Sequence, residues 1–319
     1  MSSLPYVTHG VTLALVWFLS VNLMTSIATA AVARRFAHRE DQSAAFWLTI
    51  RLLPSILSAA FVVLLFVPSY WEYEPREFVE GFDLTLALAA AVALALIVAG
   101  LQRGARAWMS AARRTSAWMQ HARALPLGFA LPAYAIEASQ PMMALVGVLR
   151  PRLLVTRGLI DALTGSELAA SVAHEAGHRR ALDNLKRLVM RTAPDCFTPA
   201  AARAIEHRWA AAAERAADRR ATGGDAADRC ALASALVKVA RLMPAAPVPT
   251  VEPISLLVTD GDIAARVRVL LSDAPPPRPR RSTAVDCLAA GVALTVLALT
   301  YTPLVRAVHA ATEVLVHVI

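Results

Sequence analysis

Three stretches without one charged residue, Val11 to Val32, Leu52 to Tyr70 and Leu84 to Leu101, restrict what this chain can fold into. Each is long enough to cross a bilayer as a helix. A fourth apolar run, Val285 to Leu304, comes only near the C-terminal end. Buried helices of a soluble core do not account for four such runs, because 57% of the 319 residues are hydrophobic and the mean hydropathy is +0.49. Too little polar surface would remain to cover them. Met1 to Gly10 holds no Lys or Arg and so lacks the basic region of a signal peptide, which makes the first run a retained span.

The charges between the runs set an orientation. Arg34, Arg35 and Arg39 follow the first span, and the second link carries Glu72, Glu74, Glu77, Glu80 and Asp83 against Arg76 alone. After the third span come Arg103, Arg106, Arg113, Arg114 and Arg123 without an acid, and Arg278, Arg280 and Arg281 precede the fourth. By the positive-inside rule, residues 102–281 are cytoplasmic and both termini are outside. The net charge of +8 is explained by this flanking arginine, so no nucleic-acid partner is expected. Cys196, Cys230 and Cys287 are widely separated and in no C-x-x-C pattern, which points away from a disulfide framework or a cysteine metal site. Three regions result: residues 1–101 with three spans, 102–281 as a cytoplasmic domain, and 282–319 with the last span and a short tail.

Within the middle region one run specifies a chemistry. His174-Glu175-Ala176-Gly177-His178 is an H-E-x-x-H pattern, and Thr164 with Glu167 three residues later is a capping box that starts a helix ahead of it. On that helix the two histidines lie one turn apart and face the same point, half of a tetrahedral zinc site. Glu175 lies about 100° round the axis. It is placed to act as a base on a water, not as a ligand.

A catalytic zinc needs a third protein ligand and an open position. The helix Ala200 to Thr222, stopped by Gly223-Gly224, offers Glu214, with Asp218 one turn on to accept a histidine ring N–H. Glu206 and His207 are other candidates for the third ligand, but neither has an acid four residues on. The metzincin pattern is excluded, because Ala181 and Asn184 stand where it requires Gly and His.

The remaining elements frame this pair of helices. Gln102 to Ala124, with Trp108, Met109, Trp118 and Met119 among its arginines, suits a helix that continues the third span or lies on the membrane surface. Ala133 to Glu137, Met142 to Val148 and Leu153 to Val155 read as short strands of a small antiparallel meander. A free edge of that sheet would serve either as scaffold or as a site for an extended peptide.

With these motifs the chain resembles the integral-membrane gluzincin metallopeptidases, the HtpX-like endopeptidases and the beta-lactam sensor and antirepressor peptidases of bacteria. The resemblance covers roughly Met142 to Leu271. It is carried by Arg150-Pro151-Arg152-Leu153-Leu154-Val155-Thr156-Arg157-Gly158-Leu159, by His174 through Leu185, and by Glu214-Arg215-Ala216-Ala217-Asp218. It implies zinc on His174, His178 and Glu214 with Glu175 catalytic, and an Arg near the active site that corresponds to Arg266. The sensor branch carries a large extracellular domain after its last span, whereas about 15 residues follow Leu304 here, so direct antibiotic sensing is not expected.

The expected molecule is mainly α, with four transmembrane helices and an α+β zincin-like cytoplasmic domain. Its expected function is a zinc endopeptidase of a bacterial inner membrane, working on protein or peptide substrates such as a cytosolic repressor or a damaged membrane protein, among membrane lipid. The rivals are a catalytically silent, zinc-containing scaffold, whose mark would be loss of the acid at position 175, and a transporter, which would need paired acids within the spans.

Overall fold

The computed structural model describes residues 4–39, 41–75, 84–125, 132–242, 263–272 and 300–316. Three helices in it are long and apolar enough to cross a membrane: α1 (Leu4–Arg35), the run Ala44–Tyr73, and α4 (Leu84–Met119). The second is built from α2 (Ala44–Phe61), a π-helical turn (Val62–Phe66) and α3 (Val67–Tyr73). The four spans expected from hydropathy are thus three among the described residues. The run Val285 to Leu304 lies outside them except for its last five residues, which open a helix over 300–316. That helix is tied to the others: the Tyr301 hydroxyl donates to the Leu64 carbonyl at 2.8 Å. Pro68, four residues on from Leu64, has no N–H to give it.

The peptidase-like region is docked onto the spans and does not hang from them. Ala33 of α1, with Trp47 and Ile50 of α2, packs against Met190 of α7 (Asp183–Thr192) and Ile205, Trp209, Ala212 and Ala213 of α8 (Pro199–Thr222). The turn between α7 and α8 reaches in among the spans. Asn22, wholly buried in α1, donates to the Pro194 carbonyl at 3.1 Å and accepts from the Cys196 N–H at 3.0 Å. Arg51 of α2, also buried, pairs with Asp195 at 2.6 Å and Glu206 at 3.1 Å. Gly100 and Gly104 of α4 admit the same turn, since a Cβ on either would collide with Thr192.

The α4 helix continues past its apolar part to Met119, so the expected extension of the third span is helical, but it stops sooner than position 124. Residues Ala122–Leu125 form β1 instead, antiparallel to β2 (Ala133–Ile136). The sheet is four-stranded and mixed, in the order β1-β2-β4-β3, with β3 spanning Met143–Val146 and β4 Arg152–Thr156. The expected antiparallel meander is corrected here: β2 and β4 are parallel, with Ala133 opposite Leu153 and Ile136 opposite Thr156. The cause is the hairpin: the turn after β3 brings β4 back antiparallel to it, and it is β4 that joins β2, so those two run the same way. Leu153, Leu154 and Val155 are wholly buried, which requires cover on both faces of the sheet. Leu153 and Val155 face Leu159 of α5 (Arg157–Ala162), Ala170 and Val172 of α6 (Gly165–Ala181), and Leu232 and Leu236 of α9 (Ala226–Leu242). Leu154 faces Trp118 and Met119, so the end of α4 covers the sheet's second face.

The motif helix α6 begins as its sequence dictates. Thr164 Oγ1 accepts from the Glu167 N–H, and the Glu167 carboxylate accepts from the Thr164 N–H at 2.8 Å. Glu167 also accepts from Ser234 at 2.6 Å and pairs with Lys238 at 2.8 Å, which fixes α6 to α9. Burial acts to raise the Glu167 pKa, but Lys238, Ser234 and the Thr164 N–H outweigh it and lower the value from 4.5 to about 2. The charged form is therefore the one the fold favours: its stabilisation is complete above pH 4.5 and is lost as the pH falls toward 2. Glu167→Gln should lower stability by about 1–2 kcal/mol at neutral pH. In paired denaturant titrations the gap from wild type should close between pH 4.5 and 2.

Candidate metal centre

The site forms where α6 crosses α8. Gly177 faces Ala217, and a Cβ on Gly177 would lie 3.3 Å from the Ala217 Cα, so the absence of one lets the two helices approach closely. This brings Glu214 to the histidines. His174 Nε2 and His178 Nε2 are 3.1 Å apart, and Glu214 offers Oε2 at 3.4 Å from the first and Oε1 at 3.5 Å from the second. All three residues are buried. A tetrahedral ion with bonds of about 2.0–2.1 Å has edges of roughly 3.3 Å, so the three donors are spaced to share one ion. The chemistry of the set agrees: the Oε1 atoms of Glu175 and Glu214 are buried without a hydrogen-bond partner among the described residues.

Each imidazole is held from behind. His174 Nδ1 is 2.8 Å from Asp218, as the spacing on α8 implies, and His178 Nδ1 is 2.8 Å from Asp183. The role of Asp183 is not visible in the spacing, because a residue five positions on does not share the helix face. Leu182 makes the contact possible. It is the one non-glycine residue with positive φ (56°) among those described, and its left-handed turn swings Asp183 back toward His178.

Arg266, on α10 (Ile263–Leu270), closes the cluster from the other side. Its guanidinium is bidentate to Asp218, at 2.9 and 2.7 Å, and reaches Glu214 Oε2 at 2.9 Å. The other candidates lie elsewhere. Glu206 pairs with Arg51, and His207 is exposed about 10 Å, or two turns, back along α8 from Glu214.

The titration of the cluster follows from these contacts. Burial pushes the Glu175 carboxyl up, against the pull of His174 and His178. For His174 burial alone would favour the neutral ring, but Asp218 and then Glu214 raise it from 6.5 to about 10, so positive charge is held between the acids. Burial also opposes ionisation of Asp218, and hydrogen bonds from His174 and Arg266 reverse this, leaving it well below the usual carboxylate range. The sheet contributes position. Asn184 Nδ2 donates to the Leu145 and Gly147 carbonyls, at 3.0 and 2.8 Å, and so fixes the start of α7 to the β3 edge.

A histidine pair one turn apart, completed by a glutamate from a later helix, defines a gluzincin-type metallopeptidase centre. Residues 111–268 match the model of peptidase family M48, a gluzincin-type family of zinc metallopeptidases. No curated protein matches the chain.

His174→Ala, His178→Ala and Glu214→Ala should each abolish most metal binding, measured as metal content after purification. Asp218→Asn and Asp183→Asn should weaken it about 10- to 100-fold, because each leaves the ligand in place but loosens its orientation. Full metal retention in Glu214→Ala would assign the third ligand to another residue.

Proposed function

We propose that the protein is a membrane-embedded zinc endopeptidase that hydrolyses peptide bonds of a protein substrate on the cytoplasmic side of a bacterial inner membrane. The observation that carries this reading is the buried His174, His178 and Glu214 set, with donor atoms one tetrahedral edge apart and the acid Glu175 beside it. The match to peptidase family M48 supports it. Zinc held by these three residues would polarise the scissile carbonyl and acidify a water.

The chain's own groups do the rest. Glu175 takes a proton from the attacking water and passes it to the departing amine nitrogen, acting as base and then as acid. Asp218 and Asp183 keep the imidazole Nδ1 protons toward themselves and so leave the Nε2 lone pairs for the ion. Arg266 holds Glu214 and Asp218 in register. It would reach the developing oxyanion only by giving up part of that contact, so its contribution is first one of positioning.

The cytoplasmic placement is supported by the arginine-rich helix ends, since the region docks beside Arg34, Arg35 and Arg103. A cytosolic repressor or a damaged membrane protein is then within reach as substrate, and lipid surrounds the spans. A reporter fused after Thr222 should read the cytoplasm and one fused after Glu77 the outside. Both on one side would remove the assigned topology.

Glu175→Gln separates enzyme from silent scaffold. It keeps the size of the side chain and removes its basicity, so metal content and folding should match wild type while cleavage falls by on the order of a hundredfold or more. Equal rescue of a deletion phenotype by wild type and Glu175→Gln, at matched expression and metal content, would sink the peptidase reading.

A further inference from the structure

A cleft of about 820 Å³ opens between α2, α4, α7 and α8, where the apolar part of α4 ends. Six arginines line it, Arg51, Arg103, Arg106, Arg114, Arg191 and Arg203, against two acids, Asp195 and Glu206. Both acids are already engaged by the buried Arg51. Arg103 is held in place by the main-chain carbonyls of Arg191 and Ala193, at 3.3 and 3.2 Å, which orient its guanidinium and leave its charge uncompensated. Arg106 and Arg203 are exposed and make no ion pair among the described residues. Arg103, Arg106 and Arg203 therefore face the cleft with no acid of its lining left to them.

Its place along α4 says where an anion would come from. Leu88 and Val92 are 59% and 56% exposed on the apolar part of that helix. Arg106 lies five turns beyond Leu88, and Arg103 about three turns beyond Val92, so the arginines continue the same exposed face. A molecule with a negative head and apolar chains would meet arginine and apolar surface in the right order. We propose that this cleft binds the phosphate group of an anionic phospholipid, with the acyl chains lying along the exposed apolar face of α4 that runs from Arg103 back toward Val92. Basic pockets between spans on the cytoplasmic side suit such headgroups. The guanidinium fork suits phosphate oxygens. The inference rests on the membrane embedding and is independent of the peptidase reading.

The test uses the full chain, purified in detergent with equal amounts of phosphatidylglycerol and phosphatidylcholine of the same acyl chains, with retained lipid read by native mass spectrometry. Wild type should retain phosphatidylglycerol preferentially. Arg106→Ala with Arg203→Ala should lower that preference by on the order of tenfold. Both side chains are exposed, so folding should be kept, which the thermal midpoint checks. Arg35→Ala with Arg113→Ala removes the same charge from exposed positions outside the cleft and should change the preference by no more than about twofold. Added inorganic phosphate should not displace the lipid. Equal retention of the two lipids, an equal fall in both double variants, or displacement by inorganic phosphate at matched concentration would each overturn the proposal. The last would assign the cleft to a soluble phosphate.

Discussion

The metal-binding geometry depends on how closely α6 can approach α8. Three ligands from two helices must converge on one point, and Gly177 against Ala217 keeps the crossing close, since a Cβ at 177 would lie 3.3 Å from the Ala217 Cα. A larger residue at 177 would leave the H-E-x-x-H pattern intact while moving Glu214 away from it. The third and fourth residues of the motif, spacers by chemistry, thus include one that packing does not leave free.

The spans supply the second constraint. α7 and α8 carry Asp183 and Glu214, and the turn joining them is fixed among membrane helices by Asn22 and Arg51. A buried ion pair such as Arg51 with Asp195 adds little net stability, but removing one partner leaves an unpaired buried charge at a cost of about 3–5 kcal/mol. The pair therefore acts as a registration device. Movement of the spans against one another would pass through this turn to α7, which carries Asp183, and to α8, which carries Glu214.

Much of the site was legible in the sequence because its logic is local. The capping box, the histidine pair and the Glu214 to Asp218 spacing are all one-turn relations on single helices, and each appears at its expected place. What was not legible involves turns or long-range pairing. Asp183 reaches His178 only through the left-handed Leu182. The strand pattern was visible, but which strand of the β3–β4 hairpin joins β2 is a matter of long-range pairing, and spacing alone favoured a meander. Asn22, a lone polar residue in an apolar run, has a partner 172 positions away. Arg266 came from resemblance alone, and its contacts with both acids follow from tertiary structure that no helical period encodes.

The charges around the site tie these contacts together. Four buried acids, Glu175, Asp183, Glu214 and Asp218, share the cluster; Arg266 pairs with Glu214 and Asp218, Lys186 pairs with Asp183, and Arg187 lies close enough to feel the charges of Glu214 and Asp183. With every acid ionised and both histidines neutral, the acids outnumber these cations. A cation among the donors would offset that excess, and the low-dielectric interior makes leaving it unmatched expensive. Among the protein's own groups protonation offsets the excess: burial pushes Glu175 up, and His174 is held positive to about 10. Both shifts would reverse on metal binding. A divalent ion takes over the charge that His174 carries, and it favours the ionised form of Glu175, the form a general base requires.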